Sequence, residues 1–138
     1  MKKYIIKGGN KLAGEVSVSG TKNVVLKAII AACLTDEVVE IKNVPLISDF
    51  FIMLELVKEI GGKVKLSGHT VKIEVKKIKT TRIPLEMGAK IRTSSMFAAP
   101  LLARNQEALI PKVRDYWINL ALHSGKQVQK EDSRRKGN

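Results

Sequence analysis

The stretch Ser19-Gly20-Thr21-Lys22-Asn23 holds the residue types best suited to gripping an anion. It lies between an alternating, strand-like run from Glu15 to Ser19 and an apolar run rich in Ala, Ile and Leu that opens at Lys22. A glycine at such a junction lets the chain turn tightly and leaves amide N–H groups open. The positive end of a helix and a lysine ammonium then favour phosphate or carboxylate. Asn23 adds an amide donor and acceptor beside Lys22. The plainer reading is that Gly20 is only a turn and Lys22 a surface lysine, because strand-Gly-helix junctions are common. The Walker A pattern of phosphate-binding loops is absent.

Arg92, within Lys-Ile-Arg-Thr-Ser-Ser-Met, takes a similar place ahead of a third apolar run. Its planar guanidinium suits two-point contact with phosphate or carboxylate, and Thr93, Ser94 and Ser95 offer hydroxyls. The alternative is a helix-start arginine in a surface ion pair. A shift of 70 residues lays TKNVVLKAIIAACLTDEVVEI over IRTSSMFAAPLLARNQEALIP, pairing Lys22 with Arg92, Ala28 with Ala98 and Glu37 with Glu107. Each copy reads as a basic residue opening an Ala-rich helix, a polar turn, a glutamate and a short apolar strand. Such a spacing suggests a supersecondary unit used twice, with both basic helix starts facing one anion-binding cleft.

The remaining reactive residue types carry less. Cys33 sits deep in an apolar run, where a thiol is inert. His69 falls at a hairpin tip and His123 in the tail, with no paired carboxylate or metal-ligand spacing. Asp49 opens a helix and reads as a cap and not as an acid or base.

These residues need elements to hold them. Lys3 to Lys7 and Glu15 to Ser19 read as strands, and Lys22 to Leu34 as a helix buried on most of its surface. Glu37 to Asn43 is a strand. Ile47, Phe51, Leu54, Val57 and Ile60 recur at helical spacing until Gly61-Gly62 stops the helix. Lys63 to Leu66 and Val71 to Val75 form a hairpin around Ser67-Gly68-His69-Thr70. A helix follows from about Gly88 to Ala103, which Pro100 should kink or shorten, then a strand from Glu107 to Ile110. This order predicts an α/β fold with a mixed sheet.

The 138 residues can form one domain with a real core, and 44% hydrophobic content excludes wholesale disorder. No apolar run is long enough for a membrane helix, and the first residues lack the apolar core of a signal peptide. With a single cysteine, the expectation is a cytoplasmic protein. A formal net charge of +12 invites a nucleic-acid reading. However, the lysines alternate with apolar residues in VKLSGHTVKIEVKKIK, as on the wet face of a sheet, and aromatics for base stacking make up only 4%. Neither nucleic acid nor membrane is an expected partner. A non-catalytic basic binding or scaffold protein stays open as the alternative to an enzyme.

KLAGEVSVSGTKN, VEIKNVPLISD, LVKEIGGKV and KIRTSSMFAAPLLAR together resemble the opening third of a UDP-N-acetylglucosamine 1-carboxyvinyltransferase. The likeness runs from about Lys3 to Pro111. It implies inside-out α/β barrels of βαβαββ units, present here only in part, with an active site between two domains. It implies enolpyruvyl transfer from phosphoenolpyruvate to UDP-N-acetylglucosamine, the first committed step of peptidoglycan synthesis, with no metal or organic cofactor. By this likeness Lys22 contacts phosphoenolpyruvate, Asn23 the sugar nucleotide and Arg92 the anionic substrates. Residues 1–20 become leading strands that pack on a second domain, and 21–111 a partial transferase domain.

After Pro111 the sequence leaves the family pattern. The family continues into a glycine-rich loop bearing a catalytic cysteine, whereas this chain reads KVRDYWINLALHSGKQVQKEDSRRKGN. No cysteine follows, Arg114 takes no family role, and no catalytic residue is identifiable. Residues 112–138 therefore stand as a divergent basic tail, and the expectation is a chain inactive by itself. Within it Tyr116, Trp117, Ile118, Leu120 and Leu122 would form a short amphipathic segment that covers core surface or drives self-association.

Overall fold

A computed structural model of the chain describes residues 3–112, 116–121 and 130–131. The first helix, α1 (Lys22–Ala32), buries Val25, Leu26, Ile29, Ile30 and Ala32. Lys27 and Ala31 stay exposed and Val24 keeps 66% of its surface, so α1 is two-faced and not buried all round. Strand β1 (Val38–Ile41) follows, then α2 (Ser48–Glu59). The core side of α2 carries Phe50, Met53, Leu54, Leu56 and Val57. Phe51, expected inside, is 43% exposed and meets Phe50 edge-on with ring centroids 5.4 Å apart. Adjacent phenylalanines point about 100° apart on a helix, so only one can face the core.

Gly61 ends α2 at φ +100°, a left-handed conformation that glycine adopts without strain. The chain then forms the hairpin β2 (Lys63–Ser67) and β3 (Thr70–Glu74), with Gly68 at φ +53° in its turn. The sheet order is β1-β3-β2, both pairings antiparallel. Alternation puts Val71 and Ile73 of β3 inward, with Val39, Ile41 and Val64 packed beside them. Lys63, Lys65 and Lys72 face outward, where Lys72 pairs with Glu40 at 2.9 Å and Lys63 with Glu74 at 3.5 Å. The lysine-rich stretch is thus the wet face of a sheet, as its alternation predicts.

The expected helix from Gly88 to Ala103 does not form as one helix. A short α3 (Leu85–Gly88) is followed by a 3-10 helix (Arg92–Phe97), and only then by α4 (Ala98–Asn105). Pro100 lies in the first turn of α4, where its missing N–H cannot reach back to Met96. The turn before it accordingly winds more tightly. Gly88 cannot carry a side chain, because a Cβ there would run into Pro111 Cγ.

After α4, strand β4 (Glu107–Lys112) pairs antiparallel with β5 (Tyr116–Ala121), which pairs with β6 (Lys130–Glu131). Part of the sequence that departs from the family pattern therefore joins a second sheet, in the order β4-β5-β6. Leu122, His123 and Arg114 lie outside the described residues.

The repeat has a structural counterpart. Lys22 opens α1 and Arg92 opens the 3-10 helix, and β1 closes the first copy as β4 closes the second. Ahead of the second copy, Thr81 to Ile83 forms a parallel bridge to β4: Leu109 donates to the Thr81 carbonyl at 2.9 Å and Ile83 donates to the Leu109 carbonyl at 3.0 Å. Ahead of the first copy, the expected strands at Lys3–Lys7 and Glu15–Ser19 are absent. Residues 3–19 form no helix or strand and are exposed, with Ile5, Ile6, Leu12, Val16 and Val18 each more than 80% accessible. An alternating pattern creates a strand only where a neighbour supplies hydrogen bonds.

Arg104 joins the copies. From α4 its Nη1 reaches the carbonyls of Cys33 (3.2 Å), Thr35 (3.0 Å) and Val75 (2.6 Å), while Nη2 reaches that of Lys76 (3.0 Å). One guanidinium thereby serves the C-terminal end of α1 and the chain leaving β3. A cation at the end of α1 also suits the helix dipole.

Candidate functional site

The candidate site is built where α1 and α2 begin. Thr21 is the N-cap of α1, and its hydroxyl accepts from the Val24 amide at 3.4 Å. Gly20, just before it, lies against the loop that leads into α2. A Cβ there would collide with the Asn43 carbonyl oxygen, so only glycine lets these two segments meet. Asn43 itself is left-handed at φ 55°, which Asn tolerates. The next residue, Val44, is held to the hairpin turn: its amide donates to the His69 carbonyl at 2.9 Å, and His69 Nδ1 donates to the Val44 carbonyl at 2.8 Å. Since a carbonyl only accepts, this contact fixes the proton on Nδ1 and gives His69 a structural task.

Lys22 is the first residue of α1, and its ammonium lies 2.5 Å from Asp49 Oδ2. Asp49 belongs to the first turn of α2, where a carboxylate also favours the helix dipole. It makes no side-chain cap; the N-cap of α2 is Ile47. The Lys22 side chain keeps 54% of its surface open and the Asp49 side chain 24%. An ammonium fixed beside two helix starts and still accessible can meet an incoming anion, with Asp49 setting its position. Asn23 is exposed on the first turn of α1, next to Lys22.

Arg92 is exposed, and no carboxylate pairs with its guanidinium among the described residues. It opens a 3-10 helix and not the expected α-helix, so the macrodipole argument that serves Lys22 does not extend to it. The flanking hydroxyls are also less available than their sequence suggests. Ser94 is buried, with its Oγ 2.7 Å from the Gly88 carbonyl and 2.8 Å from that of Ile91. Ser95 donates to the Arg92 carbonyl at 2.9 Å. The element carrying Arg92 touches α1, yet no hydrogen bond or ion pair joins Arg92 to Lys22 or Asn23 among the described residues.

Cys33 is fully buried and its Sγ donates to the Ile29 carbonyl at 3.3 Å. Burial pushes its thiol up to about 12, against a smaller opposing pull from Arg104. A thiol so protonated is no nucleophile. No group of three or more His, Cys, Asp and Glu side chains could hold a metal among the described residues. No helix there is long and apolar enough to cross a membrane.

Two structural ties escaped the sequence, the Arg104 carbonyl cluster and the His69–Val44 contact. Each joins residues at least 25 positions apart, beyond any local pattern.

Residues 6–113 match the profile of EPSP synthase (3-phosphoshikimate 1-carboxyvinyltransferase). The chain belongs to this family. Among curated members it is 42% identical over 112 residues to the UDP-N-acetylglucosamine 1-carboxyvinyltransferase of Treponema denticola, covering 80% of this chain and 26% of that protein. It is 41% identical over 111 residues to UDP-N-acetylglucosamine 1-carboxyvinyltransferase 1 of Carboxydothermus hydrogenoformans, with the same coverage. The chain thus spans about a quarter of the length of these relatives. Among solved structures, the enolpyruvyl transferase NikO from Streptomyces tendae superposes with a TM-score of 0.66 at 26% identity, over 74% of this chain and 24% of that one. The α/β elements described above are therefore part of an enolpyruvyl transferase fold, as the sequence blocks imply.

Proposed function

We propose that this chain carries part of the substrate-binding surface for enolpyruvyl transfer from phosphoenolpyruvate to UDP-N-acetylglucosamine, the step that commits material to peptidoglycan. The observation that carries this reading is the Lys22 ammonium, fixed by Asp49 at the joined starts of α1 and α2 and still open to solvent, in a chain of this family. Lys22 meets the phosphate or carboxylate of phosphoenolpyruvate, Asn23 the sugar nucleotide, and Arg92 the anionic groups of either. In the net reaction the sugar 3-hydroxyl oxygen bonds to the enol carbon, the C–O bond to phosphate breaks, and the hydroxyl proton leaves with the released phosphate. Cations fixed before reaction stabilise the charge that develops.

No residue among the 138 is assigned as nucleophile or general acid. Cys33 is buried and protonated, so these residues in isolation bind substrate without turning it over. Residues 3–19, with their open apolar side chains, pack in this reading on polypeptide of a second domain. The reading places the chain in the cytoplasm, in keeping with a lone unpaired cysteine.

The test is binding of phosphoenolpyruvate and of UDP-N-acetylglucosamine to the 138-residue chain by NMR titration, alongside an assay for phosphate release. Expected are shifts at residues 20–23, weakened about tenfold for Lys22→Met, which corresponds to one charged contact, and no measurable turnover. Sustained phosphate release by this chain alone would falsify the inactivity. Shifts that ignore Lys22→Met, Asn23→Ala and Arg92→Met together would remove the site.

A further inference from the structure

We propose that the outer face of the first sheet holds a separate anion site, a groove between Lys65 and Lys72 that takes a phosphoryl or pyrophosphoryl group. The groove is open, has a volume of about 370 Å³, and is lined by Lys65, Ser67, Thr70 and Lys72. That volume falls at the small end of ligand pockets, roughly 300–1,000 Å³. Among the described residues, no acidic side chain lines it.

The strand register explains the cluster. Lys65 stands directly across from Lys72, and Ser67 across from Thr70. Like charges facing each other across a strand pair destabilise it. Elsewhere on this face the charges are balanced by contact: Glu74 takes Lys63 at 3.5 Å and Lys76 at 3.4 Å. Around the groove, among the described residues, Glu40 alone answers Lys72 at 2.9 Å and Lys42 at 3.5 Å, one lysine on each carboxylate oxygen. Its hydrogen bond and charge contact with Lys72 hold the Glu40 carboxyl below its usual range, so it is ionised and already engaged. Lys65 has no carboxylate partner among the described residues.

Lys65 and Lys72 therefore share the groove with two hydroxyls, while Glu40 beside it is divided between Lys72 and Lys42. A compact dianion would relieve the Lys65–Lys72 repulsion and accept hydrogen bonds from Ser67 and Thr70. The site is independent of Lys22, Asn23 and Arg92, none of which lines the groove.

Inorganic pyrophosphate is the probe, titrated at fixed ionic strength into the 138-residue chain and followed by amide NMR shifts. Expected are shifts clustered at Lys65, Ser67, Thr70 and Lys72, with binding weakened about two- to fivefold in Lys65→Gln, the scale of one exposed charge pair. Lys63→Gln, which removes a lysine already committed to Glu74, leaves binding unchanged. Without pyrophosphate, Lys65→Gln melts at or above the parent temperature; with it, the parent gains the larger rise. Equal weakening by Lys63→Gln and Lys65→Gln, shifts confined to residues 20–23 or 92–95, or no response to Lys65→Gln overturns the site. Ser67→Ala provides a second reading that keeps every charge, and a several-fold loss there supports the hydroxyl contact.

Discussion

Arg104 offers the sharpest test of how this fold is held. Its guanidinium faces four backbone carbonyls, three of them on Nη1. Nη1 has two hydrogens, so one is shared, and three N–H groups in all do the bonding. A hydrogen bond to a charged donor nets about 1.5–3 kcal/mol when well shielded, and the partial exposure of Arg104 argues for less per bond. Removing all of them in Arg104→Met should then cost roughly 3 kcal/mol, with the Cys33 and Val75 carbonyls losing a partner in part-buried surroundings. For a chain of this size that lowers Tm by about 10 °C. Arg104→Lys separates span from charge. An ammonium keeps the favourable charge near the end of α1 but cannot bridge four carbonyls, so it should recover about half of the loss. Equilibrium urea unfolding of the three proteins measures both values. A loss below about 1 kcal/mol in Arg104→Met, or full recovery by lysine, would refute the clamp and leave only a helix-dipole effect.

The buried thiol gives a pH prediction. Cys33 is raised to about 12 in the folded chain, above its ordinary value of 9.0. Its contribution to stability is therefore complete below pH 9 and is lost as pH rises toward 12, because the unfolded chain releases the proton first. Thiol reagents at pH 8 should label native protein only at the rate of unfolding, and rapid labelling of folded chain would contradict the burial. Gly20→Ala should destabilise by about 1–3 kcal/mol through the clash with Asn43, and should move NMR signals at both Lys22 and Val44. A change confined to one segment would show that the two are not in contact.

Several elements were legible in the sequence because their signals are local. The helix from Lys22, the Gly61-Gly62 stop and the hairpin around Gly68 follow from periodicity, a left-handed residue and a tight turn, and the structure places each within a few residues. Two expectations fail for separate reasons. The alternation of Glu15 to Ser19 makes no strand because a strand needs a hydrogen-bonded neighbour, and the run after Gly88 makes no single helix because Pro100 has no amide to bond back into the preceding turn. At the site, the residue types at 22, 23 and 92 were readable, but their surroundings were not. Ser94 turned inward, Arg92 opened a 3-10 helix, and Lys22 found Asp49 across a gap of 27 residues.

The sequence by itself determined the family, the α/β class and the identity of the cations that can meet an anion, since these depend on residue type and near spacing. Tertiary structure alone decided that Gly20 must be bare so that two loops can touch, that Asp49 fixes Lys22, and that Arg104 ties α1 to the chain leaving β3. It also set Lys65 against Lys72 across the hairpin. Each of these depends on atoms brought within a few ångströms by packing, and contact between distant segments leaves no local trace in a sequence.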